Sequence, residues 1–240
     1  MGAIFRPLRR FAANLTGHAI ALFARFITTV RPDWRGIEPV QKQRVFFANH
    51  VSNADMPMIW TVLPPNLRRN VRPVAAADYW LQNRLRAFIG PEVFNCVLVD
   101  RRPDKDAATG DPLENILGAL ADGSSLIIFP EGNRNMTDDP LLPFKAGLYN
   151  IGKAFPDVDL VPTWVANVTE VMPQGEVIPL PLMTSVIFGA PIHVEDGETQ
   201  EPVLTRAAEP LLPLKPDDRV CGLPPPRIPS PRPVAPPVCR

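Results

Sequence analysis

The chain has 240 residues, 45% apolar and 21% charged, which suits one α/β domain with a true core and excludes a wholly disordered chain. Lys plus Arg and Asp plus Glu balance at 25 each, so no excess of positive charge marks a dedicated nucleic-acid binder. Cys96, Cys221 and Cys239 are the only cysteines and lie far apart, which excludes a disulfide scaffold and a cysteine-rich zinc site and suits a reducing compartment.

The first element is a helix of about twenty residues. Phe11, Leu15, Ala19, Leu22, Phe23, Phe26, Ile27 and Val30 recur at helical spacing, making one apolar stripe. His18 and Arg25 argue against a membrane-spanning segment, and no small-residue cleavage site follows to suggest a signal peptide. Two readings stand: a helix lying in the membrane interface, or one packed on its own domain. Charge favours the first. Residues 1–102 hold 15 basic against 6 acidic side chains (+9), and residues 103–240 hold 10 against 19 (−9). A basic front half fits anionic headgroups or phosphorylated substrates.

Strands and helices then alternate. Arg44–Ala48 reads as a buried strand, followed by a helix from near Met56. Asp78–Phe88 is predicted helical, ending at Gly90-Pro91, and Val93–Val99 reads as a strand. Pro112–Ala121 is predicted helical, Ser125–Phe129 a strand, Phe144–Phe155 a helix, and Leu160–Val168 and Ser185–Phe188 strands. This order predicts an α/β fold, a mostly parallel central sheet flanked by helices, with residues 33–202 as the domain. From 203 to 240 prolines crowd the sequence, and an extended or disordered tail is expected. Trp34, Trp60, Trp80 and Trp164 are expected in the core or at interfaces, and Cys96, inside an apolar strand, buried and inert.

In parallel sheets ligands bind beyond the carboxyl ends of the strands. His50, Arg101 and Glu131 each fall just past a predicted strand end. His50 and Asp55 are five apart, a spacing that needs a turn to bring them together. A carboxylate on one ring nitrogen would leave the other free to take a proton from a hydroxyl. With no GxSxG elbow present, that hydroxyl can belong to the substrate. Phe129-Pro-Glu-Gly-Asn-Arg134 is a strand end running into a tight turn, whose N–H groups and Arg134 suit a phosphate. Val99-Asp-Arg-Arg102 offers a second arginine pair, with Arg101 free to bind phosphate or to pair with a nearby carboxylate. Glu131 can be either a ligand or a capping residue. Leu160-Val-Pro-Thr163 is a strand carrying an early proline.

In this order the blocks resemble the glycerolipid acyltransferase family, of the lysophosphatidate acyltransferase type. The histidine-x4-aspartate block matches His50 and Asp55, the second block Gly90 through Arg101, the third Phe129, Pro130, Glu131, Gly132 and Arg134, and the fourth Val161-Pro162. Pro143-Phe-Lys-Ala-Gly147 is similar to the segment that follows the family's third block. Asn133 and Asn135 depart from its usual threonine and serine. The resemblance implies catalysis by His50 and Asp55 and substrate binding by Arg101, Glu131, Gly132, Arg134 and Pro162, with Lys145 a further phosphate candidate. It implies acyl transfer from acyl-CoA, or from acyl carrier protein, to a lysophospholipid such as 1-acylglycerol-3-phosphate. No metal or cofactor is expected, only these co-substrates. The expected setting is an anionic membrane surface on its cytoplasmic face. A non-catalytic lysolipid-binding protein and a thioester or lipid hydrolase are the alternatives.

Overall fold

A computed structural model describes residues 2–28, 30–100, 111–166 and 184–216. Seven strands form one sheet in the order β1-β7-β6-β2-β5-β3-β4. These are β1 Arg31–Trp34, β2 Arg44–Ala48, β3 Val71–Ala76, β4 Val97–Val99, β5 Ser125–Ile128, β6 Asp159–Ala166 and β7 Ser185–Phe188. The five strands from β6 to β4 are parallel, while β7 runs antiparallel to β6 and carries β1 beside it. The predicted mostly parallel α/β sheet is thus the architecture observed.

β2 lies at the centre and is buried along its whole length. Its alternating side chains supply both faces: Phe46 and Ala48 enter one apolar core, Val45 and Phe47 the other. A strand buried on both sides reads as a continuous apolar run, as this one does. Helix α2, Asp55–Val62, covers the first face with Met56, Ile59 and Trp60, and the short helix α3, Pro65–Arg68, follows it. Helices α6, Pro112–Ala121, and α7, Gly147–Ala154, cover the second with Leu120, Leu148 and Ile151. Trp164 is buried as expected, and Cys96 is buried, its thiol pushed up to about 12 by desolvation.

Several elements differ from expectation. The predicted helix over 78–88 is two, α4 Ala77–Trp80 and α5 Arg84–Phe88. Asn83 restarts it by accepting the Arg86 N–H at 2.9 Å, an N-cap in the middle of the run. Helical winding then continues through Gly90-Pro91 as a wide π-turn, Ile89–Val93. Two bonds close that turn, Phe94 N–H to Ile89 O at 3.0 Å and Cys96 N–H to Gly90 O at 3.1 Å. β4 therefore starts only at Val97.

Residues 203–214, expected to belong to an extended tail, are helical instead. A helix spans Gln200–Ala208, a 3₁₀ turn follows over Glu209–Leu214, and Val203, Ala207, Leu211 and Leu214 are buried against the second core face. Pro202 and Pro210 sit in first turns, where no N–H is needed, while Pro213 falls inside the short 3₁₀ turn, next to its last residue. The proline-rich stretch 217–240 lies outside the described residues.

Helix α1 runs Gly2–Thr28, longer than predicted. It packs inward through small residues, Ala13, Gly17, Ala21 and Ala24. A Cβ at Gly17 would come within 3.3 Å of both Trp60 and Val93, so this face must stay small. The stripe residues Phe11, Leu15, Leu22 and Phe23 point the other way and are 59–68% exposed. Val30 leaves the stripe and joins the core. No described helix is long and apolar enough to cross a membrane.

Candidate active site

The site lies past the carboxyl ends of β2 and β5, where parallel strands leave their last groups open to a ligand. The chain leaves β2 through Asn49. Its buried side chain accepts the Val165 N–H at 2.8 Å and donates to Val165 O at 3.2 Å, imitating a backbone and extending the β2–β6 pairing by one residue. Asn49 escaped sequence reasoning; an asparagine at the end of an apolar strand is its signal.

The next five residues form a tight loop around one carboxylate. Asp55, the first residue of α2 and fully buried, accepts His50 Nδ1–H, Val51 N–H and Ser52 N–H on its Oδ2, each at 2.8 Å. A negative charge is also favoured at a helix start. Asp55 Oδ1 has no hydrogen-bond partner among the described residues. Bonding at Nδ1 fixes the His50 tautomer and leaves Nε2 as the free proton acceptor. The imidazole stacks on Phe129, ring centres 4.2 Å apart, and is 21% exposed. The predicted pair is therefore assembled, through a turn as its spacing requires.

The turn after β5 grips the same histidine by its backbone. Glu131 Oε1 accepts His50 N–H at 3.0 Å, and Asn135 N–H donates to His50 O at 2.6 Å. Glu131 Oε2 accepts Leu142 N–H at 2.9 Å. Burial raises the Glu131 pKa, opposed by these two N–H bonds and by His50, while Asp55 adds to the rise. Of the two roles left open for Glu131, its geometry is the structural one: the carboxylate is 3% exposed and turned inward. Asn135 closes the loop, with its Oδ1 accepting Thr137 N–H at 2.9 Å and its Nδ2 donating to Asp139 O at 2.7 Å.

His50 opens onto a cavity of about 250 Å³. His50, Asn53 and Lys145 bring polar groups to its wall, and Ala75, Trp80, Val99, Ile116, Leu148 and Ile151 make most of the rest apolar. Trp80, expected only as packing, is thus a cavity wall. Gly132 turns the chain with φ +73°, a conformation that favours glycine.

The remaining predicted residues are placed less centrally. Arg134 is exposed on the turn and is not part of the cavity wall. Pro162 is buried in β6 opposite Phe47 and is not part of the cavity wall. Its missing N–H falls between the β6–β7 ladder and the Leu160–Ile192 bridge, beside Gly189, whose N–H donates to Pro162 O at 2.8 Å. A proline is tolerated at such a break. Arg101 lies outside the described residues. Among the described residues no group of His, Cys, Asp and Glu could hold a metal ion.

A family model described as Acyltransferase matches residues 31–166, the stretch from the first residue of β1 to the last of β6. Among solved structures the chain is similar to PlsC, the 1-acyl-sn-glycerophosphate (LPA) acyltransferase of Thermotoga maritima. That likeness has a TM-score of 0.63 at 18% sequence identity and covers 86% of this chain and 79% of that one. No curated protein gives a significant match.

Proposed function

Because this chain belongs to the acyltransferase family, we propose that it transfers a fatty acyl group from a thioester to the free hydroxyl of a lysophospholipid, most simply 1-acylglycerol-3-phosphate, giving phosphatidic acid. The observation that carries this reading is the His50–Asp55 pair, 2.8 Å apart, with His50 in the wall of a largely apolar cavity. A lysolipid brings a hydroxyl to one and an acyl chain to the other.

In the proposed reaction His50 Nε2 accepts the hydroxyl proton as the acceptor oxygen attacks the thioester carbonyl carbon. Asp55 stabilises the resulting imidazolium and keeps the ring oriented. The tetrahedral oxyanion then collapses, the C–S bond breaks, and the leaving thiolate takes the proton back from His50. The products are an ester and a free thiol. A thioester carries its own leaving group, so this scheme needs no cofactor beyond acyl-CoA or acyl carrier protein.

Arg134, exposed two residues past Gly132, is proposed to meet the headgroup at the rim of the site, with Arg101 as its proposed companion. Both substrates partition into membranes. The exposed Phe11, Leu15, Leu22 and Phe23 support docking of α1 on an anionic bilayer, proposed to be at the cytoplasmic face.

The test is transfer of labelled acyl groups from acyl-CoA to lysophosphatidate in vesicles. His50→Ala is expected to cut turnover by about 10²–10⁴-fold, the usual worth of a positioned general base, with the fold intact by circular dichroism. Undiminished turnover in that variant, or free fatty acid as the sole product of the wild type, would overturn the reading.

A further inference from the structure

Resting on the acyl-transfer reading, we propose that Lys145 makes the site selective for a phosphorylated acceptor, binding the acceptor's phosphate monoester from the cavity side while Arg134 meets it from the rim. Its backbone is pinned to the site, since Lys145 N–H donates to Pro130 O at 2.9 Å. Its side chain lies across Gly132. A Cβ built there would stand 2.6 Å from Nζ, 2.7 Å from Cε and 2.8 Å from Cδ. Gly132 therefore serves the site twice, once by its φ of +73° and once by leaving the space that the lysine stem fills. No side chain at 132 separates the ammonium from the cavity.

The charge around Lys145 fits this role. Among the described residues of the cavity wall, it is the one cationic side chain apart from the His50 base. The two carboxylates bonded to the His50 loop are committed to it, Glu131 to the N–H groups of His50 and Leu142 and Asp55 to the His50 ring and the loop backbone. Among the described residues no acid pairs with Lys145. A lysine binds phosphate as a point charge with three rotatable donors.

The chemistry of the acceptor brings its phosphate to this place. In 1-acylglycerol-3-phosphate only C2, C3 and one ester oxygen separate the attacking hydroxyl oxygen from phosphorus. An acceptor with its hydroxyl on His50 therefore carries its phosphate into the same cavity. The phosphates of an acyl-CoA donor lie beyond the pantetheine arm, far from the reacting carbonyl, so the acceptor is the source this site fits.

The experiment compares the wild type with Lys145→Met, which keeps a stem over Gly132 and removes the charge, and with Lys145→Arg. Expected for Lys145→Met is a rise in KM for lysophosphatidate of about 10–100-fold, as for a lost hydrogen bond to a charged group. The change in kcat should be much smaller, and the KM for acyl-CoA should hold. The preference for lysophosphatidate over uncharged monoacylglycerol should collapse, and Lys145→Arg should restore part of it. An unmoved lysophosphatidate KM, or a rise confined to acyl-CoA, would overturn the proposal.

A second arm needs no turnover. Calorimetric binding of short-chain lysophosphatidate is measured on His50→Ala and on His50→Ala/Lys145→Met. Binding weakened by the same factor in the double variant supports the site even if the wild type transfers no acyl group. Equal binding, or none to either protein, removes it even if transfer is robust.

Discussion

A single oxygen of Asp55 holds the His50 loop together, and a single carboxylate across the sheet holds the loop in place. Glu131 does not line the cavity; it accepts two backbone N–H groups, one of them His50's own. Glutamine offers one acceptor oxygen where two are needed, so Glu131→Gln would leave one buried N–H unsatisfied, at a cost of about 1–3 kcal/mol. The displaced imidazole should lower kcat by about 10–100-fold, with KM for both substrates little changed, the signature of a positioning residue. Stability should respond to pH as well. Burial holds the Glu131 pKa above the usual carboxylate range. The stability tied to its bound proton is thus full below that range and is lost as pH rises through the raised value. Glutamine does not titrate, so the melting-temperature advantage of the wild type over Glu131→Gln should shrink as pH climbs through that window, as scanning fluorimetry would record. At this scale the His50–Asp55 pair was legible from spacing and residue type, because both members lie in one loop. The brace was not, since nothing local in Pro-Glu-Gly says that the carboxylate turns inward and reaches a histidine 81 positions earlier.

Among the elements, the stretch from α4 to the π-turn shapes the cavity wall. Trp80 can stand there only because Gly90 has no side chain; a Cβ would lie 2.7 Å from the indole atoms Cδ2 and Cε3. Gly90→Ala should therefore push the ring from the wall, narrowing or reshaping the apolar end. The expected result is a changed acyl-chain preference and altered tryptophan emission, with a melting-temperature loss worth about 1–3 kcal/mol, typical of overpacking. Wild-type values on all three counts would refute this role for Gly90. Elements built on strong patterns were readable in advance: Arg44–Ala48, Pro112–Ala121 and Ser185–Phe188 have the bounds expected of them. The strands that were missed carry proline or lack an apolar run. β1 reads Arg-Pro-Asp-Trp and sits at the sheet edge; β3 reads Val-Arg-Pro-Val-Ala-Ala and owes its strand form to β5 and β4 on either side. Neighbours decide such segments more than propensity does.

For the whole molecule, the two faces of α1 divide the two readings of its sequence between them. The small-residue face packs on Trp60 and Val93, while the large apolar stripe faces outward. Deleting the helix would therefore bare the core as well as remove the stripe. Replacing Phe11, Leu15, Leu22 and Phe23 together with serine separates the effects. Burying each such side chain is worth about 1.5–3 kcal/mol, so partition onto anionic vesicles should fall by at least about 100-fold, with the melting temperature unchanged. Equal sedimentation with vesicles would show that another surface makes the contact. The grip of residues 131–135 on His50 also bears on how the protein comes into being. A growing polypeptide that has emerged only as far as α6 already carries the histidine and its aspartate, but nothing yet clamps that loop from the other side. Competence arrives with the strand that threads between β2 and β3 and the turn behind it. An amino-terminal piece that ends before β5 would carry His50 and Asp55 without the carboxylate that holds their loop in place.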